Sequence, residues 1–137
     1  MNTWLIKTEP GAWSWQDQLE AGEKGTFWDG VRNYQASNNM KAMKIGDQCF
    51  FYHSVKEKSI VGIVEVIKEY YPDHTDLKGR FGMVDVKALE ALSSPVTLAE
   101  IKAEPKLENL ALIKQSRLSV VPIDAVSWKH ICIMGKL

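Results

Sequence analysis

Short stretches of alternating apolar and polar residues recur along this chain. They predict strands over 3–7, 48–54, 60–67, 83–88 and 118–121. The stretch 60–67 is apolar on both faces, which is typical of a central or barrel strand. Gly62 indicates a bulge or bend there, and Pro122 is expected to end the last strand. The pattern therefore predicts one curled sheet.

Helical patterns are fewer than the strand patterns. They predict helices near 15–21, 34–43, 98–103 and 125–132. Thr97 and Glu100 fit a capping box, and Asp124 fits an N-cap. Segments 20–26 and 71–79 are polar and are predicted to be loops. Because no regular helical crossovers separate the strands, we expect an α+β fold with a mostly antiparallel sheet and helices at its ends.

Length and composition are those of an ordinary globular protein. The 137 residues are 45% apolar and 25% charged, and we expect a single domain over 1–137. No apolar run approaches the roughly 20 residues that a membrane span needs. Residues 1–4 lead into a strand without a signal-peptide pattern. We therefore expect a cytoplasmic, monomeric protein that does not engage a membrane.

The balance of basic and acidic residues argues against one class of nucleic-acid-binding protein. Seventeen basic residues balance seventeen acidic ones. This balance argues against a protein that coats nucleic acid through bulk electrostatics. A protein that holds one nucleotide in a pocket is compatible with it.

The sequence contains no pattern for a metal or a cofactor. The histidines and cysteines show no paired spacing of the zinc type: His53, His74, His130, Cys49 and Cys132. Neither a glycine-rich phosphate loop nor a dinucleotide fingerprint occurs. Both cysteines lie in apolar segments and are predicted to be buried free thiols. We expect a protein without a metal or a cofactor.

The segment from Trp28 to Ala36 concentrates residues that recognise nucleobases. Its Trp and Tyr offer flat faces for stacking, while its Arg, Asn and Gln offer groups that bind base edges. Gly30 allows the chain to turn, and Asn33 is placed to begin a helix. The alternative is that these aromatic and polar residues form the edge of a core.

Each residue of this segment has a functional and a structural interpretation. Trp28 is a candidate stacking platform or a core residue that anchors the loop. Arg32 is a candidate for phosphate contact or stacking, or it pairs with Asp29 on the surface. Asn33 and Gln35 are candidates for pairing with a base edge, with helix capping and solvent exposure as their respective alternatives.

His53 beside Ser54 suggests a base and a nucleophile, but the strand pattern argues against this. Neighbouring residues in a strand point to opposite faces of the sheet. A hydrogen-bonded structural role for His53 is therefore the stronger interpretation, and we assign no catalytic residue.

Five motifs in order resemble the EVE domain family: Lys7–Pro10, Trp28–Ala36, Phe51–Ser54, Pro95–Leu98 and Arg117–Val120. The resemblance runs from about Trp4 to Met134. It implies a PUA-like fold, a curled β-barrel flanked by short helices, related to the YTH domain. It also implies non-enzymatic binding of a modified nucleobase in nucleic acid, with modified cytosine in DNA favoured and RNA as the alternative.

The resemblance also implies which residues form the base-binding pocket. They come from four places in the chain: Lys7, Thr8, Glu9 and Pro10; Trp28, Val31, Arg32, Asn33, Tyr34 and Gln35; Tyr52, His53 and Ser54; Arg117 and Ser119. Two departures from the family pattern weaken inference about the rim of the site. Ser37 stands where many relatives have Arg, and Arg80-Phe81-Gly82 stands where relatives often have a Trp.

The sequence is also compatible with two other functions. A small hydrolase acting on a modified nucleoside or nucleotide would use Lys7, Glu9 and Tyr52 as acid–base groups. A protein-interaction module would use Trp13, Trp15 and the Glu20–Glu23 loop as its surface.

Overall fold

A single six-stranded sheet carries the fold. The computed structural model describes residues 1–137, and its strands are β1 (Thr3–Thr8), β2 (Thr26–Phe27), β3 (Gln48–His53), β4 (Ser59–Pro72), β5 (Gly82–Thr97) and β6 (Val120–Ile123). They lie in the order β2-β5-β4-β3-β1-β6. The sheet is not closed, because β2 and β6 stand at its two ends and do not pair with each other. The predicted α+β fold is confirmed.

Five helices surround the sheet. They are α1 (Trp15–Glu20), α2 (Tyr34–Ala42), α3 (Leu98–Ala103), α4 (Ala111–Lys114) and α5 (Ala125–Met134). Polar N-caps start four of them, since Ser14, Asn33, Thr97 and Asp124 each accept a hydrogen bond from a backbone N–H in the first helical turn. The predicted helices 15–21, 34–43, 98–103 and 125–132 are thus confirmed to within two residues. None of the helices is long and apolar enough to span a membrane.

The pairing of β1 with β3 positions the candidate site. These two strands run parallel, while the other four pairings are antiparallel. Lys7 lies opposite Tyr52, and Thr8 lies opposite His53. Because the C-terminal ends of parallel strands meet at one edge, two motifs about 45 residues apart in sequence become neighbours.

The β4–β5 hairpin is longer than predicted. We expected strands over 60–67 and 83–88, but the hairpin extends over Ser59–Pro72 and Gly82–Thr97. Several register shifts interrupt the pairing of these two strands. Such shifts break the two-residue alternation on which the prediction depended, and they include the bulge predicted near Gly62.

The last strand also differs from the prediction. It covers Val120–Ile123 instead of 118–121, and Pro122 lies inside it. This is possible because β6 is an edge strand that pairs only with β1. The missing N–H of a proline is tolerated at such an edge, where no further strand needs it.

Aromatic packing beneath α1 connects the core to the site. The Trp15 ring packs edge-on against Phe51 at a centroid distance of 5.1 Å. Gly62 makes room for this ring, since a Cβ there would lie 2.4 Å from Trp15. Cys49 and Cys132 are both free thiols, as predicted. Cys49 is buried, but Cys132 is only half-buried, so the predicted burial is wrong for Cys132.

Candidate nucleic-acid interface

A cavity of about 390 Å³ opens where β1 ends, and we call it the aromatic cavity. Its walls combine aromatic rings with polar groups: Lys7, Thr8, Trp13, Phe27, Trp28 and Asp29. Its volume falls in the range of about 300–1,000 Å³ that is usual for small-molecule sites. Two of these residues were predicted from the β1 end and one from the central segment, so the structure brings part of the predicted pocket together.

Trp13 is held firmly in the wall of this cavity. Its indole Nε1 donates to Gln18 Oε1 at 2.9 Å, and its carbonyl accepts from Thr8 Oγ1 at 2.9 Å. Gln18 is fully buried and donates in turn to the Val86 carbonyl at 3.3 Å. A ring held in this way binds a ligand with little loss of side-chain entropy.

Trp28 has the position that each of its two interpretations requires. It is only 7% exposed and packs edge-on against Phe51 at 5.6 Å, as a core residue does. It nevertheless lines the aromatic cavity. Phe27 is 45% exposed and packs edge-on against His74 at 4.7 Å, so it forms the more accessible wall.

A second cavity of about 420 Å³ lies on the other side of Lys7, and we call it the lysine cavity. Its polar lining comprises Lys7, Tyr52, Ser54, Lys58, Lys102 and Ser116. Lys7 Nζ donates to the Ser116 carbonyl at 2.9 Å. Burial lowers the pKa of Lys7 and raises the pKa of Tyr52. Tyr52 and Ser54 therefore belong to a different cavity from Trp28.

A third, shallower depression of about 330 Å³ gathers Asn33, Gln35 and Arg117. Asn33 Oδ1 accepts from the Ala36 N–H at 2.9 Å, which confirms its helix-capping role. Its amide nitrogen is not used by the cap. Gln35 is exposed, in agreement with its alternative interpretation.

Arg32 pairs with Asp73 and not with Asp29, so the structural alternative that the sequence offered for Arg32 is wrong. Its guanidinium lies 3.0 Å from Asp73 Oδ2 and donates to Thr75 Oγ1 at 2.9 Å. The Gly30 N–H also donates to Asp73 Oδ2, at 2.9 Å. Gly30 has a φ of +80°, which a residue with a Cβ rarely adopts. Asp73 therefore fixes the turn that follows Trp28.

Asp73 keeps its charge within a buried setting. Its side chain has no exposed surface. Burial acts to raise its pKa, but hydrogen bonds from Thr75, Gly30 and Arg32 outweigh burial and lower the pKa to about 2. A carboxylate held by so many donors stabilises the loop as an anion.

The remaining predicted residues lie outside the aromatic cavity. Val31 is buried in the core, and Tyr34 is 61% exposed with its ring 4.9 Å from that of Phe81. Glu9 is exposed and Pro10 half-exposed at the start of the β1–α1 loop. The Ser119 carbonyl accepts from the Lys7 N–H at 3.0 Å.

His53 has a structural contact in the protein. Its Nε2 accepts from the Trp15 N–H at 3.1 Å, and its ring packs edge-on against Phe51. A nitrogen that accepts a hydrogen bond carries no proton. Burial lowers the pKa of His53, in agreement with a neutral ring. This geometry fits the structural interpretation of His53.

Sequence reasoning missed three residues of this region. Trp13 was assigned only to the alternative interaction surface, and Phe27 was not assigned to the pocket. Asp73 lies in a segment predicted to be irregular, 43 residues from Gly30 along the chain. The order Trp13, Phe27, Trp28 in a polar segment was a usable signal for the first two, whereas no local pattern indicates Asp73.

Comparison with known proteins identifies the family. Residues 2–134 match the family described as the EVE domain. This chain belongs to the EVE domain family. Chicken thymocyte nuclear protein 1 is 38% identical over 152 aligned positions, which cover 88% of this chain. The chain spans only 63% of the length of that relative.

Solved structures agree with this assignment. A crystal structure of a protein from Agrobacterium tumefaciens is 49% identical, with a TM-score of 0.96 over 100% of this chain and 94% of that one. Human THYN1 in complex with DNA containing 5-methylcytosine is 32% identical, with a TM-score of 0.94 over 100% and 99%. A YTH domain from Zygosaccharomyces rouxii, at 14% identity and a TM-score of 0.56, shares the fold alone. The predicted PUA-like fold is confirmed.

Proposed function

We propose that this protein binds a modified nucleobase in nucleic acid, with 5-methylcytosine in DNA favoured over RNA, and that the aromatic cavity holds the base. The aromatic cavity carries the proposal, because three aromatic side chains and four polar ones converge on one space. Support also comes from the similarity to human THYN1, which was solved with DNA containing 5-methylcytosine.

The chemistry of the cavity suits an extruded base. A base inside a duplex is stacked and paired, so it must leave the stack or come from a single strand before it enters a pocket. Stacking on an aromatic ring contributes about 1–3 kcal/mol per base. A base methyl group adds apolar surface, whose burial is worth about 0.8 kcal/mol. Lys7, Thr8 and Asp29 supply a donor cation, a hydroxyl and an acceptor for the polar edge.

The test is a binding panel of short oligonucleotides that each carry one modified base, in DNA and in RNA. We expect the modified cytosine to bind more tightly than cytosine, and Phe27→Ala to reduce that preference. Tyr34→Ala is the matched comparison, because Tyr34 is an exposed aromatic residue outside the aromatic cavity. An undiminished preference in folded Phe27→Ala, with loss in Tyr34→Ala, would place the site on α2 instead.

The same samples test the hydrolase alternative. Glu9 lines neither the aromatic cavity nor the lysine cavity, so the three acid–base candidates do not converge on one of them. We expect the mass of modified nucleosides to remain unchanged after incubation with the protein. A change in mass would support the hydrolase alternative.

A further inference from the structure

The lysine cavity contains an unusual combination of groups. Tyr52 is only 3% exposed, yet it lines this cavity and its hydroxyl has no hydrogen-bond partner in the protein. The hydroxyl itself is not fully buried, so water or a ligand reaches it from the cavity. The exposed part of its side chain opens onto a space that a ligand is able to enter, so a group on the ligand would complete the hydrogen bond.

The charge of the cavity defines the ligand that would supply this group. Lys7, Lys58 and Lys102 line it, and no carboxylate does. None of the three ammonium groups forms an ion pair. Three cations without counter-charges around a free hydroxyl donor favour an anion that accepts several hydrogen bonds, as phosphate oxygens do.

The framework around these groups is fixed. The Lys58 carbonyl accepts from the Leu98 N–H at 2.9 Å, which holds the β3–β4 turn against the start of α3. The Ser54 N–H donates to the Thr8 carbonyl at 2.8 Å, so the same turn is attached to the end of β1. The lysine backbones are thus positioned before any ligand arrives, although the side chains of Lys58 and Lys102 are exposed.

We infer that the lysine cavity is a phosphate-binding subsite, in which Tyr52, Lys58 and Lys102 hold a phosphodiester group of the strand whose base occupies the aromatic cavity. Lys7 lines both cavities and connects them. The placement of the strand rests on the proposed function. Binding of a phosphate group as such does not, because free inorganic phosphate offers the same oxygens.

The test compares Tyr52→Phe and the double variant Lys58→Ala/Lys102→Ala with the parent protein. Tyr52→Phe keeps the ring and removes only the hydroxyl. Lys106→Ala/Lys129→Ala is the matched control, because it removes two exposed lysines that line neither cavity. Circular dichroism confirms that each variant is folded.

With a single-stranded oligonucleotide carrying 5-methylcytosine, the Lys58/Lys102 variant should bind roughly tenfold more weakly at about 0.15 M salt. Its salt slope should fall by about 0.7 for each lysine removed, which is the value for a single strand. Tyr52→Phe should weaken binding about five- to tenfold. The Lys106/Lys129 control should leave both the affinity and the salt slope unchanged.

A second experiment replaces the phosphates flanking the modified base, one at a time, by neutral methylphosphonate. It should identify one phosphate whose replacement weakens binding to the parent protein but not to the Lys58/Lys102 variant.

Titration of inorganic phosphate, followed by NMR shifts of residues around Tyr52, separates this inference from the proposed function. Phosphate shifts that disappear in Tyr52→Phe, without any oligonucleotide binding, would support the subsite and contradict the proposed function. Oligonucleotide binding with unchanged affinity and salt slope in both variants would overturn the subsite and leave the proposed function standing. If the variants change the binding of neither inorganic phosphate nor the oligonucleotide, the inference is wrong.

Discussion

At the scale of single residues, the two tryptophans of the aromatic cavity should respond differently to substitution. Trp28 is 7% exposed, so Trp28→Ala should cost about 3–5 kcal/mol of stability in addition to about 1–3 kcal/mol of binding. Trp13 is only half-buried, so Trp13→Ala should weaken binding with a smaller loss of stability. Urea denaturation and oligonucleotide titration of both variants check this. Equal stability of the Trp28 variant and the parent would contradict it.

Asp73 predicts a specific response to acid. Its pKa is about 2 in the folded protein against an ordinary value of 3.8, so folding favours the ionised form. The stability that it contributes is present above about pH 4 and disappears as the pH falls towards 2. Asp73→Asn should therefore be less stable than the parent at pH 7, by about 2 kcal/mol. The difference should shrink across that window.

The measurement is the free energy of unfolding of both proteins between pH 2 and pH 7. Asp29→Asn is the control, because Asp29 is an exposed carboxylate without an ion pair in this structure. A constant difference between the Asp73 variant and the parent at every pH would show that the charge of Asp73 is not what stabilises the loop.

At the scale of elements, the contact between α1 and β4 depends on a glycine. A Cβ at Gly62 would lie 2.4 Å from the Trp15 ring, so Gly62→Ala must displace either the ring or the strand. We expect a loss of about 1–3 kcal/mol in stability, as in other overpacked cores. Gly11→Ala is the control, because its nearest neighbour would be a side-chain atom 3.8 Å away. Thermal unfolding of the two variants checks this, and equal melting temperatures would disprove it.

Local patterns predicted elements well where the local signal was strong. Polar caps such as Ser14 and Asp124 fixed the helix starts, since capping depends on residues three positions apart. The extension of β5 beyond residue 88 could not be predicted, because its outer residues are largely exposed and the register shifts hide the alternation.

Prediction of the site residues was likewise accurate only in part. The family motifs indicated Lys7 and Trp28, which line the aromatic cavity, but they placed Tyr52 in the same pocket. Tyr52 instead lines the lysine cavity, which shares only Lys7 with the aromatic cavity. The contact between Asp73 and Gly30 joins distant segments, and no periodicity in a single sequence encodes it.

At the scale of the whole molecule, charge balance predicts how binding depends on salt. Seventeen basic residues offset seventeen acidic ones, so no broad positive surface is available to release counterions over a long stretch of nucleic acid. The cations near the cavities are few, chiefly Lys7, Lys58 and Lys102. We therefore expect a salt dependence equivalent to only about two or three phosphate contacts.

For a single strand, two or three contacts correspond to a loss of roughly 5- to 20-fold in affinity between about 50 and 200 mM salt. A protein that coats a single strand through six to ten contacts would lose roughly 300- to 16,000-fold over the same interval. Titration of a modified oligonucleotide at several salt concentrations distinguishes these cases, with an unmodified strand of equal length measured in parallel. The preference for the modified base should persist at high salt, because stacking and burial of the methyl group do not depend on counterion release. A steep slope shared by both strands would mean that backbone charge dominates, and that the aromatic cavity contributes little to recognition.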